Sequence, residues 1–273
     1  MSRHRKGKSK ALRPLPIVET RKKQFRLGGK VAIITGADSG IGKAIALAYA
    51  QEGASLVLTY YQDHKDARLT LKRVQELGAS CLLVRGDISD ELHCKQVVRN
   101  AISAFKKIDI IIHNAAIQYP QDELSAITTR QIRRTFEVNV FSHLFLTKAA
   151  EKFLKKKASI IHTTSVTAYR GSKHLIDYAA TKGAIVSMLR SLSAYFAKKG
   201  IRVNGVAPGP VWTPLIASTF KPKEVATFGS ETPMGRAGEP VEIAYAYVFL
   251  GSDESAYITG QVIHPNGGEI INT

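Results

Sequence analysis

Tyr178 and Lys182 sit four residues apart in Tyr178-Ala179-Ala180-Thr181-Lys182, and Ser165 lies thirteen residues before the tyrosine. On a helix, residues at i and i+4 share a face, so an ammonium would lie beside a phenol. A nearby positive charge favours phenolate and draws a phenol pKa down from about 10 toward working pH. A tyrosine tuned in this way can act as a general acid/base, and the serine offers a hydroxyl to hold a carbonyl oxygen beside it. The bland alternative is an ordinary helix surface, so the rest of the chain must decide.

Such a pair needs a framework. Past residue 30, short apolar runs alternate with longer amphipathic ones. Strands are expected over Val31–Thr35, Ser55–Tyr60, Ser80–Arg85, Ile108–His113, Ser159–Thr163, Ile201–Ala207 and Gln261–His264. Helices are expected over Gly40–Gln51, Lys65–Leu77, Glu91–Phe105, Thr129–Leu154, Asp177–Lys199 and Pro240–Leu250. Strand–helix alternation predicts βαβ units and a parallel sheet. The near-continuous apolar run at Ile108–Ile112 fits a sheet covered on both faces. The predicted fold is α/β: a Rossmann-like, doubly wound parallel sheet in one domain over 27–273. Residues 208–239, rich in Pro and Gly, read as a substrate lid.

The first strand runs into Thr35-Gly36-Ala37-Asp38-Ser39-Gly40-Ile41-Gly42, which opens the first helix. Glycines allow a sharp turn and close approach of a ligand, and a helix N-terminus offers N–H groups and a positive dipole end to a pyrophosphate. The spacing is Gly-x-x-x-Gly-x-Gly rather than Gly-x-Gly-x-x-Gly.

Residues 35–42 resemble the Thr-Gly-x-x-x-Gly-Ile-Gly signature of the short-chain dehydrogenase/reductase family. Asp87 follows the third strand, Asn114-Ala115-Ala116 follows the fourth and resembles Asn-Asn-Ala-Gly, and Pro208-Gly209 follows the sixth. Asn139, Ser165, Tyr178 and Lys182 match the family's active-site set. The similarity runs from about Leu27 to the C-terminus. Two departures stand out: His113 replaces the first Asn of Asn-Asn-Ala-Gly, and Ala116 replaces its Gly.

The resemblance implies an NAD(P)-dependent oxidoreductase that interconverts a carbonyl and an alcohol. Tyr178 would exchange a proton with the carbonyl oxygen, and Ser165 would hydrogen-bond that oxygen. Lys182 would lower the Tyr178 pKa and hold the nicotinamide ribose. Asn139 would bind a water in a proton relay to Lys182. Cofactor contacts are implied at Gly36, Asp38, Ser39, Gly40, Ile41 and Gly42, then at Tyr60, Asp87, Ile88, Asn114 and Ala115. Further contacts are implied from Tyr178 and Lys182 and at Pro208, Gly209, Val211 and Thr213. The family also implies a homotetramer or homodimer.

The second strand ends in Thr59-Tyr60-Tyr61 with neither an acid nor an arginine. Asp63 follows and could reach back to a ribose, while His64, Lys65 and Arg68 offer charge to a 2′-phosphate. The cofactor is NADP or NAD, with the balance toward NADP. The substrate pocket should draw on Ile117, Gln118, Thr167, Tyr169, His174, Trp212 and Phe220, a mixed set that fits an aldehyde, ketone, sugar or alcohol.

Composition bounds the remaining classes. The chain has 273 residues, 44% hydrophobic, enough for one large core. Cys81 and Cys94 have no metal-type spacing, and the eight histidines show none either, so no metal is expected; His162 and His264 read as structural. No stretch is long and apolar enough to span a bilayer, and a cytoplasmic protein is the expectation. Residues 1–30 hold eleven Lys and Arg against one acid, Glu19, so +10 of the net +17 lies there. Residues 1–26 therefore form a basic arm. Its bland role is a solvated tail or a contact with a neighbouring subunit. The alternative function is a dinucleotide-fold protein whose arm contacts nucleic acid, less favoured because only Phe25 interrupts the charge.

Overall fold

The computed structural model of the protein describes residues 25–219 and 227–271. Phe220 and the basic arm up to residue 24 lie outside these. The first strand, β1 (Val31–Ile34), is fully buried and leads through the glycine turn into α1 (Gly40–Gln51). Then follow β2 (Ser55–Tyr60), α2 (His64–Glu76), β3 (Cys81–Arg85), α3 (Glu91–Phe105) and β4 (Ile108–His113). The second half holds α4 (Thr129–Phe136), α5 (Ser142–Ala150), β5 (Leu154–Thr163), α6 (Thr167–Arg170) and α7 (Ile176–Ala197). After β6 (Arg202–Val206) come α8 (Pro214–Thr219), α9 (Pro240–Gly251) and β7 (Val262–Ile263).

All strand pairs are parallel, in the order β3-β2-β1-β4-β5-β6-β7. The order reverses between β1 and β4, the place where open α/β sheets leave a crevice at the carboxyl ends of their strands. One face of the sheet packs Ile45, Tyr49, Tyr247 and Val248 of α1 and α9 against Ile34 and Ile112. The other packs Val97, Leu146, Ile185 and Leu189 of α3, α5 and α7 against Ile33 and Ile111. Each such fully buried aliphatic side chain contributes about 1.5–3 kcal/mol, which is why a strand carrying four isoleucines, as β4 does, can stay in the middle. No helix among the described residues is long and apolar enough to cross a membrane.

The middle helix departs from expectation. The run Thr129–Leu154 is not continuous: a π-helical turn, Glu137–Phe141, separates α4 from α5, and a 3₁₀ turn, Glu151–Phe153, ends it. Leu154 already belongs to β5, whose exposed Lys155, Lys156 and Lys157 disguise it, and whose register against β4 shifts between Ile108 and Ile110. Lys157 has φ 77°, a backbone that breaks the apolar alternation a strand would advertise. Widened helical turns of the π type recur at functional sites, and this one holds Asn139.

Candidate active site

The glycine turn is held by its neighbour strand. Asn114 Nδ2 donates to Thr35 O and Gly36 O, both at 3.1 Å, while the backbone N–H groups of Asn114 and Ala115 donate to Thr35 Oγ1 at 2.9 and 3.0 Å. Gly36 has φ 61°, and a Cβ there would meet Ala115 Cα at 2.9 Å. A Cβ on Gly42 would run into Gly36 O and lie 2.7 Å from Asn114 Nδ2. Backbone therefore packs on backbone, as a turn that admits a ligand closely requires.

The turn suits a pyrophosphate. Ser39 makes no capping bond to α1; its hydroxyl instead donates to Asp38 Oδ2 at 3.2 Å. The first turn of α1 carries no acid, and Lys43 sits beside it. The N–H groups at the positive end of the helix dipole are thus not taken by a side-chain cap. Asp38 is held above the usual carboxylate range by burial. Thr213 packs over Gly40, with its Cγ2 3.2 Å from where a Cβ would stand. Gly209 lies against Asn266, and Val211 bridges to Gly238. Pro208 accepts from the Val166 N–H at 3.1 Å and so ties the segment after β6 to the one after β5.

At the β2 end, the Tyr60 hydroxyl and His64 Nδ1 are 2.5 Å apart. Asp63 does not reach back: its side chain accepts the Asp66 N–H at 3.0 Å and caps α2. Next along the edge, Asp87 accepts from Ser89 Oγ and from Arg134 Nη2, each at 2.7 Å. Burial works against its charge, but the bonds from Ser89 and Arg134 win and hold the carboxyl below its usual range. Ile88 is buried and its carbonyl accepts from Cys94 Sγ at 3.2 Å. Arg134 escaped the sequence reading because its contact to Asp87 spans 47 residues and has no local signature.

Ser165, Tyr178, Lys182 and Asn139 converge beyond the ends of β4 and β5. Lys182 is 1% exposed; its Nζ donates to Thr163 O at 2.9 Å and lies 5.2 Å from the Tyr178 ring centre. Burial pushes Lys182 down to about 7. Burial also pushes the half-buried Tyr178 phenol up to about 12, with a hydrogen bond from Ser165 pulling the other way. The expectation that Lys182 would draw the phenol down is therefore outweighed: desolvation favours the neutral form of both groups. Ser165 Oγ also accepts the Thr167 N–H at 3.2 Å.

Asn139 is fully buried and its amide is hydrogen-bonded on both sides. Its Oδ1 accepts from the Ile117 N–H at 2.9 Å, and its Nδ2 donates to Ile117 O at 2.9 Å and Thr181 Oγ1 at 3.1 Å. Both amide protons are used, which leaves one lone pair on Oδ1.

The expected substrate-pocket residues are less uniform. Gln118, Thr167 and Tyr169 each carry a buried polar atom without a protein partner. Tyr169 packs edge-on to His264 at 4.8 Å, and Trp212 stands 5.6 Å from Phe228. His174 Nδ1 lies 3.2 Å from the exposed Asp122 carboxylate.

His113, the departure from the Asn-Asn-Ala-Gly pattern, stacks between two other buried imidazoles. Its ring centre is 4.6 Å from His143 and 4.7 Å from His162, its register partner on β5. Nδ1 of His143 and Nδ1 of His162 are 2.9 Å apart, so one donates and the other accepts. Burial depresses all three; His162 falls to about 3. Among the described residues no group of three or more His, Cys, Asp or Glu is arranged to hold a metal ion. The β4–β5 pairing made the 113/162 stack findable, but His143, on α5, gave no signal.

A family model described as enoyl-(acyl carrier protein) reductase matches residues 36–269. The oxidoreductase YhxC of Bacillus subtilis is 52% identical over 95% of this chain and 91% of its own. NADPH-dependent aldehyde reductase 1, chloroplastic, of Arabidopsis thaliana is 49% identical, covering 90% and 88%. Glucose and ribitol dehydrogenase of Daucus carota is 47% identical, covering 90% and 87%. A crystal structure of a short-chain dehydrogenase from Burkholderia cenocepacia in complex with NADP superposes with a TM-score of 0.84 at 28% identity, covering 89% of this chain and 98% of that one. With the glycine turn, the reversal between β1 and β4 and the Ser165–Tyr178–Lys182 grouping beyond the ends of β4 and β5, these matches make the chain an oxidoreductase of the short-chain dehydrogenase/reductase family.

Proposed function

We propose that this enzyme uses NADP(H) to interconvert an aldehyde or sugar carbonyl with its alcohol, Tyr178 being the general acid/base. The observation that carries the reading is the convergence of Tyr178 with Ser165 and Lys182 beside a glycine turn that suits a pyrophosphate. The nicotinamide, when bound, supplies or receives the hydride. In reduction the protonated phenol gives its proton to the carbonyl oxygen, and its high pKa keeps that proton available at neutral pH. Ser165 Oγ hydrogen-bonds the same oxygen as charge develops on it. Lys182, titrating near 7, stabilises the phenolate left on Tyr178 and holds the ribose hydroxyls. Asn139 fixes Ile117 and Thr181, and its remaining Oδ1 lone pair takes the relay water.

Several features favour NADP over NAD. Asp63, the acid that could have reached the adenosine ribose, is spent capping α2. His64, Lys65 and Arg68 line the start of that helix, and Arg85 Nε, next to Tyr60 in register, reaches Tyr61 O at 3.4 Å. The relative named for NADPH and the NADP complex point the same way. Exposed Phe141 at the end of the π turn and Leu144 on α5, with Val241 and Tyr245 on α9, support assembly as a homodimer or homotetramer.

A titration with NADPH and NADH by quenching of protein fluorescence tests the cofactor. NADPH should bind at least about tenfold tighter, the effect of one phosphate–cation contact. Turnover should then appear with the preferred dinucleotide against a panel of short aldehydes, glucose and ribitol. Equal or reversed affinity would contradict the NADP assignment, and no turnover across the panel would contradict the substrate class.

A further inference from the structure

α7 carries Tyr178 on its first turn, and that turn has no cap of its own: Leu175, at the N-cap position, offers no side-chain bond. What holds it comes from α4. Asp177, the residue before Tyr178, is a buried carboxylate, 5% exposed. Its Oδ2 receives Thr135 Oγ1 at 2.8 Å and Gln131 Nε2 at 3.1 Å. The Thr135 hydroxyl also lies 2.9 Å from Gln131 O, but a charged acceptor outcompetes a neutral one for its single proton.

Gln131 is itself immobilised. Its second amide proton goes to Tyr119 O at 3.1 Å, its Oε1 accepts from Gln121 Nε2 at 2.9 Å, and its backbone N–H goes to the capping Thr128. A carboxylate on the first turn of a helix is also favoured by the dipole. One turn further along α7, Thr181 accepts from Asn139 Nδ2 and donates to Tyr178 O at 2.6 Å. Residues 177 and 181 lie on one face of α7. The α4 segment and its π turn therefore grip α7 at two successive turns on either side of Tyr178. Asn139 supplies one grip; nothing in the reaction itself calls for the other.

We propose that Asp177, clamped by Thr135 and Gln131, is a positioning residue that sets the rotation of the first turn of α7 and with it the aim of the Tyr178 hydroxyl. The proposal rests on Tyr178 being the acid/base. Such aim matters because misplacement by about 1 Å can cost about a hundredfold in rate. The clamp works through acceptance of hydrogen bonds, so an asparagine, whose Oδ1 can take the place of Oδ2, preserves it and an alanine does not.

The test compares Asp177→Ala, Asp177→Asn and Thr135→Val in the full chain, with Tyr178→Phe beside them. The readouts are kcat with NADPH and an aldehyde, Kd for NADPH by fluorescence, and Tm. Asp177→Ala and Thr135→Val should each lose about tenfold or more in kcat, with NADPH Kd within about twofold of wild type. Asp177→Asn should return kcat to within about threefold. Thr135→Val, a change of shape-matched side chains, keeps the test open if Asp177→Ala does not fold. The clamp is wrong if Tyr178→Phe is inactive while Thr135→Val keeps full kcat, or if kcat falls only in step with NADPH affinity and Tm. Retained activity in Tyr178→Phe overturns the underlying acid/base reading instead.

Discussion

Lys182 Nζ stands 5.2 Å from the centre of the Tyr178 ring, yet its hydrogen bond goes to the backbone, to Thr163 O at 2.9 Å. The lysine is thus anchored beside the tyrosine rather than bonded to it. Its influence on the phenol is electrostatic and depends on whether the buried amine is charged, which changes near pH 7.

That titration gives a pH prediction. A lysine with a depressed pKa is charged only below that value. The ammonium stabilises the phenolate left after proton transfer, so kcat for carbonyl reduction should rise as pH falls through about 7. Oxidation of the alcohol needs Tyr178 to give up its proton first, so its rate should climb toward alkaline pH. Profiles of kcat in both directions check this. A reduction rate flat between pH 6 and 8 contradicts the role of Lys182.

The three stacked histidines predict acid sensitivity of the fold. Their folded pKa values lie below the unfolded value of about 6.5, so only the unfolded chain gains protons as pH falls below that. Stability should be unaffected above about pH 7 and decline from about 6.5 downward. His162, at about 3, contributes a loss of about 2 kcal/mol by pH 5, and His113 and His143 act in the same direction. Urea midpoints from pH 7.5 to 5 measure it, and His113→Asn, which removes one member, should flatten the slope. An unchanged slope in that variant removes the cluster as the cause.

Much of this architecture is readable without coordinates, and the reasons differ by element. β2, β4, α1 and α3 have the predicted limits because their period and flanking turns are unambiguous. The interrupted helix around Asn139 is not readable, since a π turn inserts no Gly or Pro to announce itself. Ser165, Tyr178 and Lys182 are legible as a set only through the resemblance to the family's active-site pattern, and the direction of the tyrosine shift is not legible. It depends on how deeply the pair is buried, and spacing along a helix says nothing about depth. Arg134 and the His143 ring came from tertiary contacts alone.

Gly42→Ala tests the glycine turn. The new methyl collides with Gly36 O and crowds Asn114 Nδ2 at 2.7 Å. Overpacking of this kind costs about 1–3 kcal/mol, and here it also displaces the N–H groups proposed to hold the pyrophosphate. Both Tm and NADPH affinity should fall. Affinity unchanged beside a lowered Tm would detach the turn from the cofactor.

Arg134→Leu tests Asp87, an implied cofactor contact. It removes the 2.7 Å bonds to Asp87 and Ser89 and frees the carboxylate to turn away. A charge-assisted pair of this kind, partly exposed, is worth on the order of 1 kcal/mol, so dinucleotide Kd should rise about fivefold with kcat at saturation retained. A fall in kcat at unchanged Kd would place Arg134 in the chemistry instead.

Turnover of Tyr178→Phe bears most directly on the assigned chemistry. Removing the phenolic oxygen deletes the proposed proton donor and little else, so NADPH should bind within about twofold of wild type while kcat for aldehyde reduction falls about a thousandfold. A variant that binds NADPH normally and reduces the aldehyde within tenfold of the wild-type rate would contradict it.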